Sequence, residues 1–177
     1  MLIRPIQDGD IAAVIDLWTT CGLIRPWNDP NADIARARSA AQSELFVLDD
    51  GKGIAASVMV GDDGHRGWLY YLAVADNRRH QGLGRKIVHH AEKWLRGQGA
   101  PKVELMIRAD NEQAKGFYDA ADYQTEPRIV MARWLDSEAA RKADCSIDEI
   151  EVTITYLQML QRPKTMPIHP PSVGQPI

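Results

Sequence analysis

The sequence predicts an α/β fold with a mixed, mostly antiparallel central sheet flanked by helices. Three observations carry that reading. Short strand-like runs follow one another through tight turns over residues 44–74. The last of them, Trp68–Val74, is almost wholly apolar, as expected of a strand covered on both faces. It leads through a basic, glycine-containing loop into an amphipathic helix, and strand and helix then alternate.

Leu2–Ile6 reads as a first strand. Asp8 is placed to cap a helix whose apolar stripe is Ile11, Val14, Ile15 and Trp18. Breakers over 22–30 end it. Asp29 followed by Pro30 is a cap with a first-turn proline, opening a second helix to about Ala41. Strands are expected at Glu44–Leu48, Gly53–Gly61 and Trp68–Val74, separated by turns at Asp49-Asp50-Gly51 and Asp62–Gly67. Ile87, Val88, Ala91, Trp94 and Leu95 define the next helix, which Gly97 or Gly99 ends. Lys102–Arg108 reads as a strand, Asn111–Ala121 as a helix, and Arg128–Leu135 as a further strand. Beyond it, Ser137–Ala143 is expected to be helical, Ile150–Tyr156 alternates like a strand, and the proline-rich Pro163–Pro176 should lack regular structure.

The 177 residues suffice for one domain with a core. A formal charge of -3 offers no global positive field for nucleic acid or anionic lipid, so neither is an expected partner. No apolar run approaches the roughly 20 residues that span a bilayer. The start, Met1–Pro5, has no basic segment followed by an apolar run, so no secretion signal is expected. Cys21 and Cys145 lack metal-ligand spacing and read as a reduced pair. A cytoplasmic protein without a metal is the expectation.

The strongest local signal runs from Val74 to Gly84. Gly82 and Gly84 allow close approach of backbone at a helix start. The free N–H groups and positive dipole end of that helix suit a pyrophosphate, with Arg78, Arg79 and Arg85 nearby. The plainer alternative is a basic loop whose glycines only turn the chain. A Walker loop is excluded because no Gly-Lys-Ser/Thr follows, and the spacing is not the dinucleotide fingerprint.

Arg79-x-x-Gly82-x-Gly84 resembles the (Gln/Arg)-x-x-Gly-x-(Gly/Ala) signature of the GCN5-related N-acetyltransferases (GNAT). Asn111-x-x-Ala114-x-x-Phe117-Tyr118, then Tyr123, is similar to that family's second motif. Leu23–Pro30 and Asp63–Gly67 resemble the YpeA-like bacterial group within it. The likeness implies a catalytic domain over residues 1–135, and leaves 136–177 as an extension rather than a separate domain.

The resemblance implies a sheet splayed at two central parallel strands, with acetyl-CoA entering the gap as co-substrate. It places the pantetheine arm on the backbone of Leu72, Ala73 and Val74. It places the pyrophosphate on Arg79, His80, Gln81, Gly82, Leu83 and Gly84, with Arg85 close by, and brings Asn111 to the pantetheine arm. Tyr118 matches the usual general acid. A phenol of pKa about 10 is protonated at neutral pH and can serve the departing thiolate. Spacing alone favours a core tyrosine beside Phe117, and it is the resemblance that favours the general acid. The implied reaction is direct attack by a primary amine on the thioester. The acceptor is a small molecule, a protein N-terminus or a lysine.

The base is a gap. Trp68–Val74 holds no carboxylate, and Glu104, His65, Tyr70 and Tyr71 are the alternatives. That gap motivates a second reading, a non-catalytic acyl-CoA-binding module or sensor. Asp122 stands where the family usually has a glycine in left-handed backbone, a conformation Asp tolerates. Arg25, Trp27 and Asn28 form a polar-aromatic cluster on a loop suited to acceptor recognition, or a loop clamped by Trp27. The alternating Ile150–Tyr156 would cover a sheet edge or build a homodimer.

Overall fold

The computed structural model describes residues 1–143. Expectations for Cys145, Ile150–Tyr156 and Pro163–Pro176 lie outside the described residues. The chain divides into two compact units, Met1–Arg133 and one beginning at Trp134. In the second, residues 137–143 are helical, and the Asp136 carboxylate caps the helix by accepting from the Glu138 and Ala139 N–H groups.

The first unit runs β1 (Leu2–Pro5), α1 (Ile11–Thr20), α2 (Pro30–Ser39), β2 (Ser43–Asp49), β3 (Ile54–Asp62), β4 (Gly67–Val74), α3 (Leu83–Gln98), β5 (Val103–Glu104) and α4 (Glu112–Asp119). The strands form one sheet in the order β1-β2-β3-β4-β5, antiparallel except for the parallel β4–β5 pair. Asp29 caps α2 as expected, its carboxylate accepting from the Asn31 and Ala32 N–H groups at 2.9 and 3.1 Å. Asp8 does not cap α1. It opens a short 3-10 turn, and the Asp10 carboxylate accepts from the Gln7 N–H instead.

Each face of the sheet carries a core. On one, Phe46, Leu48, Val58, Val60 and Leu69 pack against Leu83, Ile87, Val88, Ala91 and Leu95 of α3. On the other, Leu45, Val47, Met59 and Ala73 meet Val14, Leu17 and Trp18 of α1 and Ile34 and Ala37 of α2. These helices bury one stripe each and leave the opposite side wet, which is why their apolar positions recur at helical spacing.

Two strand expectations change. Lys102–Arg108 pairs with β4 only at Gly67↔Val103 and Trp68↔Glu104, after which the strands part. Arg128–Leu135 forms no strand, and Ile129 and Met131 are more than nine-tenths exposed. Among the described residues β5 is therefore the last strand of the sheet, and the splayed pair stands at its end rather than its centre. The physical reason lies in β4. Met59 pairs with Tyr70 and Ser57 with Ala73, so Tyr71 and Leu72 together oppose Val58. Such a bulge bends and twists its strand, which accords with a parallel pairing that does not reach Tyr71.

The bulge also redistributes side chains. Leu69, Leu72 and Val74 pack on the α3 side, whereas Tyr71 and Ala73 pack on the α1 side. Tyr71 pays a steric cost for this, with φ at +50° in the left-handed region. That conformation costs a non-glycine residue about 1–3 kcal/mol and persists only where its surroundings hold it. Ser57, fully buried in β3, helps to do so. It accepts from the Trp18 indole N–H at 2.9 Å, and its hydroxyl lies 3.4 Å from the Tyr71 carbonyl. Ser57→Ala should strand that indole donor and cost about 1–3 kcal/mol of stability. The urea unfolding midpoint followed by circular dichroism measures it, and an unchanged midpoint would refute the role.

Candidate active site

The loop after β4 leads into α3 through left-handed backbone. A 3-10 turn, Asp76–Arg78, leads to His80 at φ +61° and Gly82 at φ +74°. Gly82 is the N-cap of α3 and has no side chain to occupy the first N–H groups. The first turn of α3 contains no acidic residue. A helix start without cap or carboxylate leaves its donors and its dipole for an anionic ligand.

The glycines serve different ends. A side chain at Gly82 would meet open space, so its left-handed backbone is what requires glycine. A Cβ on Gly84 would lie 3.0 Å from Cε2 and 3.2 Å from Cζ of Phe117, so here the missing side chain lets α4 pack on α3. Two further ties join them. The Arg85 guanidinium donates to the Ala120 carbonyl at the end of α4, and Tyr123 donates to Glu92 of α3 at 2.8 Å. Asp122 is left-handed at φ +64°, matching the expectation for that position.

The arginines of the loop are already engaged. Arg78 binds Asp50 at 2.6 Å, tying the loop to the β2–β3 turn. Arg79 pairs with Asp76 at 2.8 Å and reaches the Val74 carbonyl at 3.4 Å, over the end of β4. The Arg85 guanidinium is turned to α4. Backbone N–H groups, rather than these side chains, are the donors that the loop presents. Gln81 donates to the Asn77 carbonyl, and Leu83 is buried. Leu72, Ala73 and Val74 lie beyond the last β4–β5 pair, so that edge of β4 carries no ladder.

Tyr118 is buried on α4, edge-on to Phe117 and Tyr123 with centroids 5.0 and 5.2 Å away. Its hydroxyl has no hydrogen-bond partner among the described residues. Burial pushes the phenol well above its usual value, so it stays protonated across the physiological range. Asn111 caps α4, its side-chain oxygen accepting from the Ala114 N–H at 3.0 Å. A cleft of about 1110 Å³ runs along the outer edge of β5, lined by Trp68, Glu104, Met106, Tyr118, Tyr123 and Asn111 among others. It takes in Tyr118 and Asn111 but neither Leu72–Val74 nor the Arg79–Arg85 stretch. The uncapped start of α3 and the free edge of β4 therefore lie outside this cleft, and the two regions meet at α4.

Of the cluster Arg25, Trp27 and Asn28, Asn28 reaches Tyr71 of β4. Its side-chain amide donates to the Tyr71 hydroxyl at 2.9 Å and lies 3.3 Å from Asp33. The Tyr71 hydroxyl donates to Asp33 at 2.7 Å. Its ring stacks on Trp18 with centroids 4.0 Å apart. Arg25 and Trp27 are half-buried and make no side-chain hydrogen bond among the described residues. Asp33 escaped the sequence reading. The one available signal was its place four residues after the Asp29 cap, and nothing in the sequence revealed the bulge that turns Tyr71 toward it.

Of the four alternatives for a base, Glu104 is enclosed by cations. Lys102 stands at 3.1 Å, Arg66 at 3.5 Å and Arg128 at 3.9 Å. Buried Glu104 Oε1 and Arg66 Nε have no hydrogen-bond partner among the described residues, so these contacts are ion pairs by distance alone. His65 sits in an exposed turn with its backbone N–H on Asp63, and Tyr70 is exposed beside Trp68. Among the described residues no group of His, Cys, Asp and Glu is arranged to hold a metal, and no helix is long and apolar enough to cross a membrane.

Residues 11–123 match the model of the Acetyltransferase (GNAT) family. An acetyltransferase of Yersinia enterocolitica is 42% identical over 136 residues, covering 76% of this chain and 96% of the relative. Among solved structures, a glucosamine-6-phosphate N-acetyltransferase from Arabidopsis thaliana is similar with a TM-score of 0.59 at 21% identity, over 76% of this chain and 98% of that one. AAC(6')-Iy, in complex with the bisubstrate analogue CoA-S-monomethyl-acetylneamine, gives 0.65 at 14% identity over 76% and 98%. At such identities the structures establish likeness of fold.

The Gly84–Phe117 contact predicts its own test. Gly84→Leu should gain about 1 kcal/mol in helix propensity. It should still lose about 1–3 kcal/mol net through overpacking against α4. Urea unfolding decides, and a stabilised variant would mean that α4 is free to move away.

Proposed function

From the premise that the chain belongs to the Acetyltransferase (GNAT) family and is an acetyltransferase, we propose that it moves the acetyl group of acetyl-CoA to a primary amine by direct attack on the thioester. The acceptor is a small-molecule amine or a protein N-terminus or lysine. The observation that carries this reading is an uncapped, acid-free start of α3, entered through left-handed Gly82, beside an edge of β4 that carries no ladder.

In this reading the residues divide the work. N–H groups of the Arg79–Gly84 stretch hold the pyrophosphate. The free edge of Leu72–Val74 pairs with the pantetheine amides, and one of its N–H groups steadies the oxyanion. The Asn111 amide nitrogen faces the pantetheine arm, since its oxygen is spent on the α4 cap. Tyr118, protonated through burial and lacking a hydrogen-bond partner among the described residues, supplies a proton as CoA sulfur departs. Arg25, Trp27 and Asn28 line the acceptor approach. Residues 1–135 form the catalytic domain, and 136–177 an extension. The free thiol of Cys21 supports a reducing, cytoplasmic setting.

Calorimetric titration with acetyl-CoA tests the site. The parent should bind in the micromolar range, and Gly82→Glu should lose binding while keeping its far-UV circular dichroism. Tyr118→Phe should keep binding and slow transfer by about 10²–10⁴-fold. A folded parent that does not bind acetyl-CoA would overturn the proposal. Binding without transfer to any amine would favour the acyl-CoA sensor, which the absence of a carboxylate on β4 otherwise motivates.

A further inference from the structure

Direct attack needs a neutral amine, and a lysine-type amine with a pKa of about 10.4 is protonated at neutral pH. Some group must take that proton close to the bulge, where Leu72–Val74 would hold the thioester. No residue of β4 can do so with a carboxylate of its own. Glu104 on β5 is already engaged by Lys102, Arg66 and Arg128 and lines the cleft along β5, which does not take in Leu72–Val74.

We propose that Asp33 of α2, reached through the Tyr71 hydroxyl, is the proton acceptor for the amine. The inference rests on the acetyl-transfer reading above. Four observations support it. The Tyr71 hydroxyl donates to Asp33 at 2.7 Å, so the phenol hydrogen already points at the carboxylate. Asn28 donates to the phenol oxygen at 2.9 Å, which leaves that oxygen one lone pair for an incoming N–H. The bulge and the left-handed φ of Tyr71 turn this side chain from the α3 face to the face packed by α1 and α2, which carries Asn28 and Asp33. The stack on Trp18, itself anchored to Ser57, fixes the ring.

The transfer balances. The ammonium gives one proton to the phenol oxygen as the phenol gives its own to Asp33. The amine becomes neutral, Tyr71 is unchanged and Asp33 becomes a neutral acid. Tyr71 therefore never carries a phenolate charge, consistent with a phenol that burial and Asp33 hold well above its usual value. The Asp33 side chain is 19% exposed and can return the proton to solvent. Among the described residues, few charged or titratable groups face the pair. Arg36 of α2 stands 3.7 Å from Asp33 and is largely solvated, and Cys21, after α1, lies against the Val74 carbonyl at 3.5 Å.

The test compares parent, Asp33→Asn and Tyr71→Phe, reading thiol release from acetyl-CoA. The acceptors are a lysine-containing peptide, an alkyl diamine and hydroxylamine, which is already neutral at pH 7. At neutral pH both variants should lose about 10²–10⁴-fold in kcat/KM with the alkyl amines. The loss should shrink as pH approaches the amine pKa, and hydroxylamine should be acetylated at near-parent rate. Acetyl-CoA titrations should match the parent. Tyr71→Phe keeps the ring stacked on Trp18 and guards against loss of fold as the cause. Equal losses at every pH and for both kinds of nucleophile, or weakened acetyl-CoA binding, would assign these residues a structural role and overturn the proposal. Variants as active as the parent would also overturn it, leaving acetyl transfer intact. A parent that acetylates none of the acceptors would remove both readings.

Discussion

The left-handed backbone of Tyr71 is the constraint on which the rest of the site depends. A regular β4 would alternate cleanly and could run beside β5 for its full length. One extra residue opposite Val58 ends that option. The strand bends, the parallel pairing stops after two rungs, and an edge of backbone is left without a ladder. The same residue turns its ring to the α1 face, where Trp18 stacks on it and Asp33 accepts its hydroxyl. The strain of about 1–3 kcal/mol is thus met by contacts that have the same order of magnitude. Ser57, Trp18, Asn28 and Asp33 form the bracket around it.

Much of the fold was legible in the sequence because it rests on periodicity. The stripe of Ile87, Val88, Ala91 and Leu95 could only be a helix on a core, and it is. The Asp29-Pro30 start and the left-handed Asp122 follow from local steric rules, and the structure shows both. The expected parallel pairing along Lys102–Arg108 did not appear, because its extent is set by the shape of β4 and not by the composition of β5. Arg128–Leu135 carries strand-forming residues but pairs with nothing among the described residues. Propensity needs a partner to become structure.

The site was legible unevenly for similar reasons. Motif spacing located the loop before α3 and the pair Phe117-Tyr118, because both depend on short-range geometry. It could not say that Arg85 would turn to the Ala120 carbonyl, or that Gly84 would face Phe117. It gave no hint that Asp33, thirty-eight residues before Tyr71, shares a hydrogen bond with it. Contacts between distant segments arise from tertiary packing, which a single sequence does not display.

The two glycines of the loop carry a lesson about variation. At position 82 the surrounding space is open and only the handedness of the backbone is fixed. At position 84 the backbone is ordinary helix and only the distance to Phe117 is fixed. Natural drift should therefore be filtered by different sieves two residues apart. The first passes residues that tolerate a positive φ whatever their bulk. The second passes small residues whatever their backbone preference, and any enlargement there needs a matching reduction on α4. Covariation with position 117 is thus a property of position 84 and not of position 82.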